Sequence, residues 1–342
     1  MKNHKQNTHF VHIGNQILNW YTQNARELPF RKTKNPYHIW ICEIIFQQTR
    51  IVQGMQHYEN FVARFPNVET LAAADSDEVL LYWKGLGYYS RALNIHKAAH
   101  QIMGDFNGLF PEKYEDIMSL KGIGKYTAAA ISSICFGKQI PAIDGNFYRV
   151  LSRIFADDFD VSSSQAYAYF EALAMQIIPE NAAGDFNQAI MDLGSEICKP
   201  RNPFCSECPV HKECNAFQTG KIADFPVKTK KVKVENLALQ YYFVGFKNQF
   251  LIQQRGDDFI WKKLFEFPTE IPDSFLDFIL DEKVIKHKLT HKNLSITISK
   301  IELNSNNAFK NFAQSNGFSI INKKIAHLKP FPKPLENYLK NL

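Results

Sequence analysis

Apolar residues recur at helical spacing over residues 10–196, with short breaks at glycine, proline or asparagine. Apolar positions three or four residues apart form one face of an α-helix, so the pattern predicts an all-helical first part. The polar stretch 33–36 ends in Asn-Pro and precedes one long periodic stretch over 37–65, while the acidic stretch 75–78 predicts another helix start.

The pattern changes in the last third of the chain. Residues 221–233 hold five lysines and a proline with little to bury, which predicts a linker. The short apolar runs at 238–244 and 249–253 are typical of two strands around a turn, and alternation over 294–301 predicts a third strand. A smaller α+β domain therefore follows the helical part.

The length of 342 residues corresponds to two or three domains, and 45% hydrophobic with 13% aromatic residues is enough for packed cores. This composition excludes a wholly disordered chain, collagen and a coiled coil. The expected organisation is multidomain: a helical region at 1–220, a basic linker at 221–236 and a second domain at 237–342.

The charge is mildly positive, because 40 Lys and Arg stand against 34 Asp and Glu, giving +6. Such an excess permits a polyanionic partner without requiring one. The chain has no long uncharged apolar run, and its start lacks the apolar core of a signal peptide, so we expect a cytoplasmic protein without a membrane partner.

Four of the six cysteines fall within seventeen residues, at Cys198, Cys205, Cys208 and Cys214. In a large intracellular chain such a group indicates a metal or cluster site rather than a disulfide framework. Only one pair has the CxxC spacing usual in zinc knuckles, so the loop at 198–214 predicts a 4Fe-4S cluster, with structural zinc as the alternative.

Two glycines one residue apart, Gly122 and Gly124, predict a tight turn that leads into a helix rich in small residues. Backbone N–H groups at such a helix start suit a phosphate, although an ordinary packing turn has the same sequence. What favours the phosphate interpretation is Asp144, twenty residues after the second glycine.

The hairpin at about 120–130, the Asp-Gly-Asn at 144–146 and the cysteine loop together resemble the helix-hairpin-helix DNA glycosylase superfamily, over about residues 10–220. The endonuclease III branch has a nucleophilic lysine two residues after the second glycine, where this chain has Tyr126. The segment 41–50 is similar to the one that carries the catalytic glutamate in the MutY family of adenine DNA glycosylases. The resemblance therefore favours the MutY family.

The resemblance implies a catalytic role for Glu43 as the acid, Asp144 as the carboxylate that stabilises the sugar cation, and Asn146 as its support. The apolar neighbours of Glu43 independently predict a raised pKa, although a lone glutamate in such a stretch is often only a structural hydrogen-bond partner. Tyr126 is expected to orient the sugar or Glu43, or to be an ordinary buried tyrosine.

The family also implies base flipping, with Gln48 and Tyr88 filling the gap in the duplex. The segment around Tyr88 is equally typical of a turn that leads into a helix. Lys125 is expected to contact a phosphate or only to increase solubility. The residues that match positions lining the adenine pocket are Leu28, Phe30, Arg31 and Gln188.

In the second domain, residues 261–268 resemble a signature of the Nudix-like domain that MutY proteins carry for the lesion strand. The acids that hold Mg²⁺ in true Nudix hydrolases are missing, which predicts recognition without pyrophosphate cleavage. Thr290 and His291 occupy the lesion-reading turn, where the family usually has an aromatic residue followed by serine and histidine.

The expected function is therefore a monofunctional adenine DNA glycosylase of base excision repair. It would act as a monomer on duplex DNA containing adenine opposite 8-oxoguanine or guanine. The alternatives are an endonuclease III-like glycosylase/lyase for oxidised pyrimidines, a cluster-bearing DNA-binding protein without catalysis, and a nucleotide-pool hydrolase. Tyr126 opposes the first alternative, and the pair Glu43 and Asp144 opposes the second. The missing metal-binding acids oppose the third.

Overall fold

The structure, a computed structural model, describes residues 2–230, 234–256 and 259–342. The contacts divide the chain into two compact units, the first made of Met1–Ala73 with Asn94–Lys231 and the second of Ala74–Leu93 with Val232–Leu342. Residues 231–233 of the predicted linker lie outside the described residues, and the predicted domain boundaries stay predictions.

Helices build the first unit within the described residues, as the apolar periodicity predicts. The second unit contains α5, α13 and α14, and α6 continues from the second unit into the first. The α-helices of the chain are α1 (Lys2–Asn24), α2 (Pro36–Ile45), α3 (Ile51–Arg64), α4 (Val68–Ala72), α5 (Ser76–Tyr82), α6 (Ser90–Asp105), α7 (Tyr114–Ser119), α8 (Lys125–Phe136), α9 (Gly145–Phe155), α10 (Ala166–Ala174), α11 (Ala183–Asp192), α12 (Asn215–Gln218), α13 (Asn306–Asn316) and α14 (Lys333–Lys340).

The predicted continuous stretch over 37–65 is wrong at its centre. Asn35 caps α2 by accepting a hydrogen bond from the backbone N–H of Tyr37 at 2.9 Å, but α2 ends at Ile45 and α3 begins at Ile51. Gln48 has φ of 55°, in the left-handed region, which a right-handed helix cannot contain. The apolar spacing happens to continue across this loop, so periodicity alone could not reveal it.

The core of the first unit lies between α1, α9 and α11. Fully buried side chains from these helices include Ile13, Ile17, Phe147, Leu151, Phe186 and Ile190. Helix α8 packs against both α2 and α11. This packing brings the middle of α2 close to the beginnings of α8 and α9.

A mixed six-stranded sheet forms the centre of the second unit. The strands are β1 (Glu235–Phe246), β2 (Gln249–Gln254), β3 (Phe265–Glu266), β4 (Ile279–Lys288), β5 (Lys292–Glu302) and β6 (Ser319–Asn322). Their order is β3-β2-β1-β5-β4, with β6 also paired to β2, and β1 runs parallel to β5 while the other pairs are antiparallel. The three predicted strands are confirmed, but β4 was missed because charged residues interrupt its apolar alternation.

Both faces of this sheet are partly covered. Leu335 and Tyr338 of α14 pack on one face, and Phe309 of α13 packs on the other. Helix α5 is tied to the strands by Asp77, whose carboxylate lies 3.3 Å from Lys329 Nζ and accepts a 3.0 Å hydrogen bond from Gln254. No helix in the described ranges is both long enough and apolar enough to cross a membrane.

Candidate active site

The hairpin before α8 depends on its glycines. Gly122 has φ of 81°, and a Cβ on this residue would lie 2.5 Å from the Cβ of Asn94. Gly124 is the N-cap of α8 and is exposed, so the unpaired N–H groups of the first helical turn can face a phosphate. Lys125 is exposed beside them, and its Nζ lies 4.3 Å above the ring of Tyr167.

Glu43 lies in the middle of α2, between the buried Cys42 and Ile44, and forms a hydrogen bond with Tyr126 of α8. Burial raises the pKa of Glu43 to about 7, while the bond to Tyr126 and the charge of Arg31 act in the opposite direction. A carboxyl group with this pKa holds its proton in about half of the molecules at neutral pH. It is therefore suited to general acid catalysis.

Tyr126 completes this pair as a neutral hydroxyl. Burial, together with the charges of Glu43 and Asp144, raises the pKa of Tyr126 well above its ordinary value. Its hydroxyl also lies 3.9 Å from the sulfur of Met191. The Glu43–Tyr126 pair is thus one arrangement contributed by two helices.

Asp144 is the N-cap of α9. One carboxylate oxygen accepts hydrogen bonds from the backbone N–H groups of Asn146 at 2.8 Å and Phe147 at 2.9 Å, and the other accepts one from Asn146 Nδ2 at 2.8 Å. Burial raises the pKa of Asp144, whereas these three bonds and the charge of Arg149 lower it. The donors favour the ionised form that a cation-stabilising carboxylate requires.

Asn146 is itself held by Arg149, a residue that sequence reasoning missed. Arg149 Nη2 donates to Asn146 Oδ1 at 2.7 Å and to the carbonyl of Gly194 at 2.8 Å, and its Nε donates to the carbonyl of Cys198 at 2.8 Å. The spacing of three residues within α9 was the available signal, because side chains at i and i+3 share a helix face. Asp144 is thereby connected to the start of the cysteine loop.

Arg31 is engaged by a buried carboxylate that sequence reasoning also missed. Its two Nη atoms bind the two oxygens of Asp192 at 2.6 and 2.7 Å, and Arg26 Nε donates to the same group at 2.7 Å. Burial raises the pKa of Asp192, but these hydrogen bonds outweigh burial and hold that pKa below its ordinary value. Asp192 lies 161 residues from Arg31, so no local pattern could have paired them.

The other pocket positions differ in exposure. Leu28 is buried, and the ring of Phe30 packs 5.1 Å from that of Phe46. Gln188 lies half-buried on α11. Their role in binding a base stays a prediction.

Gln48, the predicted intercalating residue of the first unit, is exposed and has φ of 55°. A non-glycine residue in this region is uncommon and marks a locally strained backbone, which is often found at functional sites. The side chain is therefore presented from a tight bend between α2 and α3.

Tyr88 in the second unit has the same unusual backbone, with φ of 46°, and half of its surface is exposed. Its hydroxyl contacts the hydroxyl of Thr290, in the turn that joins β4 to β5. His291 lies exposed in the same turn, and its carbonyl accepts a hydrogen bond from Glu235. The structure thus brings together Tyr88, which the sequence assigned to filling the gap in the duplex, and Thr290, which it assigned to reading the lesion.

The four clustered cysteines line a single pocket that is partly open to solvent. Arg153 Nη1 lies 3.4 Å from the sulfur of Cys198. A set of four thiols is the usual donor set of a 4Fe-4S cluster, so the residue types at this pocket fit that group. In the part of the chain that the structure describes, no three His, Cys, Asp or Glu side chains are placed to hold one metal ion.

The segment at 261–268 packs into the second unit's core. Leu264, Phe265 and Phe267 are buried, and Glu266 pairs with Arg255. Trp261 is half-buried, with its ring 6.3 Å from that of His287 on β4. The apolar members of this segment are therefore structural.

Comparisons with known proteins identify the family of this chain. Residues 41–176 match the model of the HhH-GPD superfamily of base excision DNA repair proteins. The chain is 35% identical to the adenine DNA glycosylase of Buchnera aphidicola subsp. Schizaphis graminum, over 94% of this chain and 96% of that protein. The chain belongs to the adenine DNA glycosylase family. The predicted membership is therefore confirmed, and the protein is an enzyme of the DNA N-glycosylase class.

Another member of the adenine DNA glycosylase family matches a smaller share of the chain. The human adenine DNA glycosylase is 37% identical over 59% of this chain and 39% of the human protein. Among solved structures, a thermostable thymine-DNA glycosylase aligns over 64% of this chain and all of its own, with a TM-score of 0.58 and 29% identity. An endonuclease III–DNA complex aligns over 63% of this chain with a TM-score of 0.54, and its 21% identity bears on the fold alone.

Proposed function

We propose that this adenine DNA glycosylase hydrolyses the N-glycosidic bond of adenine mispaired with 8-oxoguanine or guanine in duplex DNA, and that it leaves the strand uncut. The observation that carries the proposal is the buried Glu43, with a pKa of about 7, hydrogen-bonded to Tyr126 and close enough to Asp144 for their charges to interact. Two carboxyl groups with different environments are what a glycosidic cleavage needs.

Glu43 acts first in this scheme as the acid. The bond between C1′ of the sugar and the base breaks, its electron pair goes to adenine, and the proton of Glu43 goes to N7 of the leaving base. Tyr126 holds Glu43 in place through their hydrogen bond. The apolar surroundings of Glu43 raise its pKa, so a large fraction of the molecules carry the proton on Glu43 when the base binds.

Asp144 then stabilises the positive sugar that is left. Its carboxylate is oriented by three N–H donors, two of them backbone groups of α9, so it needs no rearrangement as charge develops. Water adds to C1′ and gives its proton to a carboxylate, which completes the hydrolysis.

The residue at position 126 supports a monofunctional reaction. A glycosylase that also cuts the strand forms a Schiff base between a lysine amine and the sugar. Tyr126 has no amine, and Lys125 contacts the ring of Tyr167 instead. The chain therefore lacks the expected nucleophile of the endonuclease III branch at this position.

Base flipping leaves a gap in the duplex, for which Gln48 and Tyr88 are suited. Both are exposed on bends with positive φ. The contact between Tyr88 and Thr290 supports a shared site for 8-oxoguanine on a Nudix-like second domain. A hydroxyl at Thr290 offers the lesion a hydrogen-bonding partner even though the preceding Leu289 is not aromatic.

Cys198, Cys205, Cys208 and Cys214 are proposed to hold a 4Fe-4S cluster, as their shared cavity supports. The cluster would supply a rigid cross-link for the loop at 198–214 rather than chemistry at the sugar. Arg149 binds the carbonyl of Cys198, so an ordered loop helps to keep Asn146 and Asp144 in place.

The decisive experiment compares four labelled duplexes containing A:8-oxoguanine, A:G, A:T and thymine glycol. Each is incubated with excess enzyme and then divided into samples with and without hot alkali. We expect cleavage only after alkali, only at adenine, and faster opposite 8-oxoguanine than opposite guanine. Strand scission without alkali, or cleavage at thymine glycol, would instead identify an endonuclease III-like enzyme.

A further inference from the structure

One face of the second unit's sheet carries a group of polar side chains beside the turn at 289–291. Registered residues on neighbouring strands point to the same side of a sheet and form rows across it. Two such rows, which we call the polar face, are Lys288, Asn293 and Asn236, followed by Lys286, Ser295 and Ala238. Each row combines β4, β5 and β1.

The polar face is accessible to solvent. Lys286, Lys288, Asn236, Ala238 and Asn293 are exposed, and only Ser295 is partly buried. The alternate residues of the same strands point into the core, as the buried Leu294 and Ile296 show. Helix α13 packs on the polar side of the sheet only at its far end, near Val244 and Ile301.

The chemistry of this face suits an anion. Lys286 donates to the hydroxyl of Ser295 at 2.8 Å, and Asn293 donates to Asn236 at 3.1 Å, so side chains in neighbouring strands are already linked. The face thus offers two ammonium groups, two amides and a hydroxyl.

The nearest carboxylate on the same side of β4 is Glu282, four residues from Lys286. Four residues of strand span about 13 Å, which exceeds the Debye length of about 8 Å at physiological salt. Glu235 lies at the start of β1 on the opposite side, and Lys292 binds it at 2.7 Å. The positive charge of Lys286 and Lys288 is therefore left largely uncompensated.

We propose that the polar face binds the sugar–phosphate backbone of the DNA strand that carries the lesion. Lys288 stands two residues before Thr290, about 7 Å along the strand, so the first row lies next to the turn that a lesion base would reach. Lysines and amides are common donors to phosphate and fix position without reading sequence. The inference rests on the proposed function, because it takes Thr290 as the point where the lesion binds.

The test measures binding of the full-length protein to a duplex with a non-hydrolysable adenine analogue opposite 8-oxoguanine, from 0.05 to 0.3 M salt. Each lost phosphate contact lowers the slope of log Kd against log salt by about 0.9. For the double variant Lys286→Gln/Lys288→Gln we expect a slope lower by about 1.8. If the loss vanishes at 1 M salt, Kd rises about 30-fold at 0.15 M.

The matched control is Lys283→Gln/Lys310→Gln, which removes the same charge from exposed positions outside the polar face. We expect this control to keep most of the wild-type slope. Asn293→Asp is expected to weaken binding, as Lys286→Gln/Lys288→Gln does. Equal slopes and equal Kd for the double variant and its control would overturn the inference. The same result is expected if the true role of this face is to dock an acidic protein segment.

The same protein preparations, assayed in addition for excision on a duplex with ordinary adenine opposite 8-oxoguanine, separate this inference from the proposed function. A wild-type protein that excises adenine, with a double variant that binds like its control, keeps the proposed function and refutes the polar face. A wild-type protein that leaves adenine intact refutes the proposed function, whatever the binding slopes are.

Discussion

Replacing Glu43 by glutamine tests the active site through two independent readouts. The amide has nearly the same shape and can still bond to Tyr126, but it carries no transferable proton, so excision of adenine is expected to be lost. The same change removes a carboxyl group whose ionisation is unfavourable in its buried environment and therefore destabilises the folded protein. The variant should therefore be more stable than the wild type at alkaline pH.

The magnitude follows from the shift of the pKa of Glu43 from 4.5 to about 7. A raised pKa in the folded state means that stability present below pH 4.5 is lost as the pH rises through 7. At about 1.36 kcal/mol per unit, the full loss of stability is about 3 kcal/mol, of which about 2 kcal/mol falls between pH 5.5 and pH 8. Glu43→Gln has no such loss.

Thermal unfolding at pH 5.5 and pH 8 measures this difference. About 2 kcal/mol corresponds to roughly 4–8 °C in Tm for a unit of this size, so the advantage of Glu43→Gln over wild type should grow by that amount at pH 8. Glu59 is exposed on α3, and Glu59→Gln is the matched control. Its difference in Tm from wild type should be the same at both pH values. An advantage that is equal at both pH values would refute the raised pKa and with it the assignment of Glu43 as the acid.

Three further changes test the rest of the site. Asp144→Asn should abolish excision in single-turnover assays while duplex binding and Tm persist, because asparagine can still cap α9; turnover near the wild-type rate would remove Asp144 from the mechanism. Cys205→Ser should lose iron and visible absorbance, whereas Cys135→Ser should keep both; a colourless wild type with one zinc would contradict the cluster. Thr290→Val should weaken the preference for A:8-oxoguanine over A:G by about 1 kcal/mol, roughly fivefold. Tyr88→Phe removes only the hydrogen bond between Tyr88 and Thr290 and should weaken the preference less. An unchanged preference in Thr290→Val would exclude the Thr290 hydroxyl as the group that reads the lesion.

The network around Asn146 connects the proposed catalytic carboxylate to a loop far along the chain. Arg149 joins Asn146 to the carbonyls of Gly194 and Cys198, and a Cβ at Gly194 would lie 2.8 Å from Asn146. The carboxylate that we propose to be catalytic, its supporting amide and the cysteine loop are therefore closely packed. A disturbance of the loop is transmitted to Asp144 through two hydrogen-bonded side chains.

Local features of the site could be predicted because neighbouring residues create them. Asp144 caps the helix that begins at the next residue, and Gly122 allows a turn with positive φ. Three strands followed from short apolar runs, but β4 did not, because an edge strand exposes charged residues on both sides. The break at Gln48 was also missed, since apolar spacing continued across it.

The sequence alone determined the helical character of the first part, the turns and caps that present Gly124 and Asp144, and the spacing of the cysteine loop, because each depends on residues close together in the chain. The tertiary structure decided the pKa of Glu43, the pairing of Arg31 with Asp192, and the contact between Tyr88 and Thr290. Burial and charge pairing depend on residues up to some 200 positions apart, and only the packed fold brings them together.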